Sequence, residues 1–463
     1  MPKILIVGGG YAGFYTAWKL EKQLRRSEAT VTLVDPRPYM TYQPFLPEIA
    51  AGSIDPRHAL VSHRKHLKKT EVLTASVTGI NHATKTATIT PELGEPFDLS
   101  YDIIVVTAGS VSRTFPIPGV ADQAIGMKNI EEAIAVRDRI LTNFDKAALL
   151  PKGDPLRERL LTFTVVGGGF AGIEAFAEMR SFASYLVRQY PAIAFEDTHF
   201  HLIEAMGRIM PEVSLKTSHW VLKNLAQRGA EVHLDTQLAS AVDGKIELST
   251  GQTFESDLIV WTAGVMASPM LRNTDLPTEE RGRLTVQPDL RVKDAEGNVI
   301  EDAWGAGDVS AVPDLIPGQG VGGFCVPNAQ HAVRQGKRMS KNIIAVLRGE
   351  ATVDYAHKNA GAVAGLGIGV GVFQNGPIAI TGLIAWFMHR GYHGLAMPTW
   401  ERKLRVIVNW VGNFLLGRDT VSIAAVEKPR AGFEQFASRP RPAEPAAAAA
   451  AAPGSAKAGA AKK

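Results

Sequence analysis

Cysteine is almost missing from this chain: Cys325 is the one thiol among 463 residues. A single thiol excludes an intramolecular disulfide, a C-x-x-C redox pair and a thiolate zinc cage. Surplus charge is missing too. The formal net charge is only +4, and the basic residues are dispersed instead of forming a stripe with interleaved aromatics, so nucleic acid is not expected as a partner. No apolar run reaches the ~18 residues of a spanning helix. Met1 to Val7 enters strand-like sequence directly, leaving no room for a signal peptide, and a cytoplasmic location is expected. The twelve histidines form no H-E-x-x-H, and no G-x-S-x-G elbow occurs, which sets aside metallohydrolase and serine-hydrolase readings.

Glycine and apolar residues are plentiful, and a chain of this length exceeds one ordinary domain. Ile4-Leu5-Ile6-Val7 reads as a buried strand, followed by a glycine turn, a helix over about 11–26 and a strand at 31–34 ending on Asp35. Gly8, Gly10 and Gly13 form G-x-G-x-x-G across that turn. The first glycine permits the bend, the second lets backbone approach a pyrophosphate, and the third brings helix against strand, while Asp35 sits where a carboxylate accepts from a ribose hydroxyl. The unit then repeats. Phe163-Thr164-Val165-Val166 leads into Gly167, Gly169 and Gly172, and a strand at 199–203 ends on Glu204. Asp102 to Gly109 and Asp257 to Gly264 resemble each other as well, so the duplication extends over whole domains. Two dinucleotides are implied. Glu204 favours NADH because a carboxylate repels a 2′-phosphate, although Arg208 nearby keeps NADPH open. Glu174 is expected in the first turn of the second helix, either capping it or lying near the nicotinamide.

With these motifs the chain resembles the two-dinucleotide-binding flavoproteins, which implies FAD on the first fold and the nicotinamide cofactor on an inserted second fold. Trp304-Gly305-Ala306-Gly307-Asp308 is similar to their G-D motif, whose aspartate holds the flavin ribityl chain, so the chain should return to the FAD domain beyond about 297. Within the superfamily the disulfide reductases and sulfide:quinone reductases need cysteines that Cys325 alone does not supply. Four segments instead resemble the type II NADH dehydrogenases: Tyr42-Gln43-Pro44-Phe45-Leu46-Pro47 with Ala51-Gly52, the linker from Met127-Lys128 to Leu141, Ala329-Gln330-His331-Ala332, and Tyr355, Lys358 and Gly361. Ala12, Gln43, Pro44, Ala108, Gly109 and Ala329 are counted with Asp308 among the flavin contacts that the resemblance implies, and Gly264 with the second cofactor. It further implies hydride transfer from NADH to FAD and two electrons to a membrane quinone without proton pumping. Gln330, Arg334, Lys358 and Glu174 are its candidate catalytic residues. One departure stands out: Arg334 occupies the place of the family's second glutamine, and Gln335 follows it, turning the amide by about 100° around the helix.

The expected fold is therefore α/β: two Rossmann-type domains, FAD-binding over 1–115 and 296–350 and NAD(P)H-binding over 116–295. A C-terminal α+β region at 351–430 is expected to serve membrane association or an interface, and an Ala/Pro/Lys tail at 431–463 to be disordered. Two amphipathic stretches, 378–395 and 400–417, carry the membrane expectation. In the second, Leu404, Ile407, Val411 and Leu415 recur at helical spacing while Arg405, Asn409 and Asn413 mark another face; in the first, Trp386, His389 and Arg390 give an aromatic and basic mix suited to headgroups. A dimer or interdomain helix is the alternative for both. Peripheral attachment to the inner face of the cell membrane, and a second copy as partner, are expected from the resemblance. Reduction of a soluble protein or of oxygen, and a non-catalytic FAD/NADH sensor, remain as rival readings.

Overall fold

Ile4, Leu5, Ile6 and Val7 have no polar face to offer water, and in the computed structural model they form the strand Lys3–Val7, buried on both sides. The structure describes residues 1–316 and 322–437, which fall into two units divided after Ser422. In the first unit a six-stranded sheet runs Arg291–Lys293, Val299–Gly305, Ile103–Val106, Lys3–Val7, Thr30–Asp35, Glu71–Thr74 in spatial order. Its strands are parallel except for the antiparallel edge pair at 291–305. A five-stranded, wholly parallel sheet runs Ala124–Gly126, Leu258–Trp261, Thr162–Val166, His199–Ile203, Glu231–His233.

Helix α1 (Tyr11–Gln23) follows the first glycine turn and α2 (Phe170–Leu186) the second. Both bury most of their length. Phe14, Leu20, Phe176 and Phe182 are fully enclosed, each contributing about 1.5–3 kcal/mol of apolar burial. Helix α3 (Ala329–Leu347) packs on α1 at a glycine: a Cβ on Gly336 would stand 2.4 Å from Ala12 O, and Thr16 Oγ1 donates to both Ala12 O and Gly336 O. That close crossing brings the N-terminus of α3 to the first glycine turn.

The C-terminal part of this unit is a three-stranded antiparallel sheet, 362–381, followed by α4 (Leu383–Ala396) and α5 (Trp400–Leu416). Three expectations need correcting here. Residues 378–381 are a strand, because the Gly376-Pro377 turn, with Gly376 at positive φ, brings the chain back onto its neighbour, and α4 begins only at Leu383. His389 and Arg390 do not face headgroups: His389 is buried, and Arg390 lies over the Trp386 and Trp410 rings and pairs with Glu48 at 3.0 Å. The tail does not start at 431, since Ala431–Ala437 is helical, with an Arg430–Glu434 pair one turn apart. The rest of the expected tail lies outside the described residues.

Helix α5 is amphipathic with its polar side turned to the protein. Asn413 Nδ2 donates to Ser53 O, Asn409 Oδ1 accepts from Asp55 N, and Trp410 Nε1 donates to Glu48 Oε2 at 2.8 Å. Leu404, Ile407, Val411, Phe414 and Leu415 are exposed.

Candidate active site

The two glycine turns match bond for bond. Gly8 N donates to Val34 O at 2.8 Å and Gly167 N to Ile203 O at 2.8 Å. Thr107 Oγ1 donates to Val7 O and Gly8 O, and Thr262 Oγ1 to Val166 O and Gly167 O. Asp35 accepts from Gly9 N at 2.6 Å as Glu204 accepts from Gly168 N. The glycines divide their work identically. A Cβ on Gly13 would lie 1.8 Å from Gly8 O and one on Gly172 would lie 1.9 Å from Gly167 O, so these positions exist for helix–strand contact. Gly8 and Gly167 have positive φ, and a Cβ on either would also strike the neighbouring Thr-Ala strand end. At Gly10 and Gly169 a Cβ would meet nothing within 4 Å. Of the six motif glycines, those two border open space. Neither helix N-terminus has a side-chain cap or an acidic residue in its first turn, so its N–H groups and positive dipole end are free for an anion. The residues fit pyrophosphate in both places.

A cleft of about 290 Å³ opens at the first turn and is lined by Gly8, Gly10, Ala12, Asp35, Gln43, Ala108, Gly109, Asp308 and Ala329, all expected from the sequence. Gly13 stands behind it as a packing residue, and Pro44 sits at the start of the short 3-10 helix Gln43–Phe45 without lining it. Burial raises the Asp35 carboxyl while bonds from Gly9 N and Arg37 N oppose the rise. The cleft also contains residues that sequence reading missed as site residues. Ser110 Oγ donates to Asp308 Oδ2 at 2.6 Å, and Lys128 Nζ contacts Ser110 Oγ and lies 3.5 Å from Asp308 Oδ2. Gln43 Nε2 donates to Lys128 O, and Tyr11, Arg37 and Asn328 complete the wall. Lys128 was legible only as part of a linker, and its aim into the cleft comes from the fold.

The second fold reaches this cleft. The strands Ser110–Ser112 and Val265–Ala267 pair antiparallel, Ser268 N donates to Gly109 O and Arg113 N to Gly264 O. Val265, next to Gly264, thereby lines the first fold's cleft. On the second fold Arg208 donates to Met210 O and Val213 O, so its guanidinium is already engaged.

The four candidate catalytic residues do not converge. Glu174 lies beyond the first turn of α2, contrary to expectation, because the helix starts at Phe170; its Oε1 accepts from Gly365 N at 2.9 Å and lies 3.1 Å from His389 Nε2. Gln330 Nε2 reaches Gly361 O at 3.5 Å. Strand Ala362–Gly365 thus connects the two, with anchor points separated by roughly 13 Å of extended chain. Arg334 Nη1 donates to Gln330 O at 2.9 Å, and after burial its charge is the next cause lowering the His357 imidazole. Gln335 is buried with its amide oxygen accepting from Gly307 N at 2.8 Å, so it braces the Gly307-Asp308 turn. Lys358 is exposed and does not line the cleft. The thiol of Cys325 is buried and pushed up to about 12, which leaves it protonated and unreactive.

Residues 2–336 match the family model for pyridine nucleotide-disulphide oxidoreductases. The chain is 30% identical to the type II NADH:quinone oxidoreductase of Haemophilus influenzae, covering 84% of this chain and 92% of that protein. It is 28% identical to the type II NADH:quinone oxidoreductase of Mycobacterium tuberculosis, covering 90% and 89%. Among solved structures, NDH2 from Plasmodium falciparum in complex with NADH has the same fold, with a TM-score of 0.82 at 19% identity over 91% of this chain and 99% of that one.

Proposed function

The chain belongs to the pyridine nucleotide-disulphide oxidoreductase family, among its type II NADH:quinone oxidoreductases, and on that premise we propose how its own residues divide the work. It is an FAD-dependent enzyme that oxidises NADH and reduces quinone. The flavin, when bound, supplies the hydride-accepting and electron-donating chemistry that side chains lack. Residues 1–115 and 296–350 hold it: the α1 N–H groups and Gly10 take the pyrophosphate, Asp35 the ribose, and Asp308, set by Ser110, Lys128 and Gln335, the ribityl chain. Residues 116–295 hold NADH, with Gly169 and the α2 N-terminus on the pyrophosphate and Glu204 on the ribose. Arg208 is occupied by carbonyls, which favours NADH over NADPH.

Gln330 and Arg334 form the quinone end of the site, Arg334 offering donors where the family has an amide. Lys358 is left out of that set because it is exposed. Glu174 positions the strand Ala362–Gly365 and acts through it. No helix among the described residues is long and apolar enough to cross a membrane. The outward apolar faces of α4 and α5 would meet the inner face of the cell membrane, where the quinone dissolves, and residues 351–430 serve that attachment.

What carries this reading is Val265, a residue of the nicotinamide fold standing in the wall of the flavin cleft. Stopped-flow mixing of the yellow protein with NADH should bleach the flavin, and a menaquinone or ubiquinone analogue should restore its colour through many turnovers. A colourless protein, or a bleached one that quinone leaves reduced, would overturn the proposal.

A further inference from the structure

Two neighbouring strands of the nicotinamide-side sheet carry a cluster for which the reaction has no use. His201 and Glu231 are paired in parallel register and His233 follows two residues later, so all three side chains leave the same face. His201 Nδ1 lies 3.2 Å from His233 Nε2 and 3.6 Å from Glu231 Oε2, and the three ligand-type atoms fall within 4.8 Å of one another. Around a tetrahedral ion with bonds of about 2.0–2.2 Å, adjacent donors stand roughly 3.3–3.6 Å apart. The two edges that meet at His201 Nδ1 are close to coordination edges.

The surroundings suit an ion as well. The Phe254 ring stacks on His201 with centroids 3.9 Å apart and an interplanar angle of 21°, fixing the direction of the imidazole. The His201 side chain is 7% exposed and that of Glu231 54%, which makes a dry floor with a solvent-facing mouth. Two imidazoles and one carboxylate select a borderline transition ion over magnesium or calcium, which require oxygen cages.

We propose that His201 Nδ1, His233 Nε2 and the Glu231 carboxylate bind a divalent ion of the zinc type, with a fourth position open to water. Such an ion bridges two strands. Glu204 N donates to His233 O at 2.9 Å, so the bridged pair is also the one that presents the ribose-facing acid, and the ion stabilises that edge of the sheet.

The test uses full-length, flavin-loaded protein without a polyhistidine tag, stripped by a chelator and titrated calorimetrically with Zn²⁺ and, separately, with Mg²⁺; metal content after dialysis is read by mass spectrometry. One Zn²⁺ per chain at micromolar or tighter affinity is expected, with a Zn²⁺-dependent rise in Tm and no response to Mg²⁺. Glu231→Gln and His233→Gln should each weaken Zn²⁺ binding by about tenfold or more. Both positions reach the surface, so flavin content should not change. Absence of Zn²⁺ binding, or binding that neither substitution alters, would overturn the proposal and leave the histidine contact as a plain hydrogen bond stacked on Phe254.

Discussion

At Gly10 and Gly13 a single methyl group should have opposite consequences. A Cβ at Gly13 has no room, standing 1.8 Å from Gly8 O, whereas one at Gly10 projects into open space beside the cleft. Gly13→Ala should therefore destabilise even the flavin-free protein, by roughly 1–3 kcal/mol or more. Gly10→Val should leave the Tm of the flavin-free protein unchanged and empty it of FAD, read as lost absorbance at 450 nm relative to 280 nm by about tenfold or more. Equal effects on both readouts would remove the distinction between packing and ligand-facing glycines. A second residue-scale prediction concerns cofactor choice. Arg208 is held by Met210 O and Val213 O, and in the proposed function the ribose end falls to the acid at 204. Glu204→Gln should shift the ratio of kcat/KM for NADPH over NADH upward by about tenfold, because the lost carboxylate both bound a hydroxyl and repelled a phosphate. An unchanged ratio would place discrimination elsewhere.

Helix α5 shows how an element can be amphipathic in the reverse sense. Its asparagines cannot be replaced by water on the inner side, because Asn413 donates to Ser53 O while Trp410 and Arg390 share the Glu48 carboxylate in a nearly dry space. Asn413→Leu should cost about 1–3 kcal/mol by leaving Ser53 O unpaired, measured by denaturant unfolding. Its outer side obeys another solvent. Leu404→Glu with Phe414→Glu should leave stability within about 0.5 kcal/mol and abolish flotation with phospholipid vesicles containing anionic lipid. Retained flotation would remove the helix from the membrane contact. A concentration-dependent dimer that the same pair dissociates would assign this face to a second copy instead.

Across the whole molecule, buried charges join both folds to the C-terminal segment: Glu174 and Glu178 of the nicotinamide fold to His389 and Arg418, and Glu48 of the flavin fold to Arg390. Burial pulls His389 down, but the Glu174 carboxylate, with Glu48 behind it, outweighs burial and holds the imidazole above its ordinary 6.5. A group raised in the folded state stabilises fully below its unfolded value, and that contribution disappears as pH rises through the folded value. The stability gap between the native protein and His389→Gln should accordingly be widest below the ordinary 6.5 and narrow as pH rises above it. A gap that widens with pH would reverse the assignment.

The sequence by itself determined the two glycine turns and their terminal acids, because each follows from contacts within one βαβ unit, and composition determined that the thiol stands alone, while the G-D aspartate was legible through the family resemblance. It also determined that Gln335 must point away from Arg334, since one helical step sets that angle. Only the tertiary structure decided that Lys128 and Ser110 converge on Asp308, that Val265 crosses into the other fold's cleft, that His389 and Arg390 turn inward, and that α5 rests on its polar side. Periodicity tells which residues share a face of a helix; what that face meets depends on chain brought from far away, here Glu48 Oε2 and Ser53 O, which accept from Trp410 and Asn413.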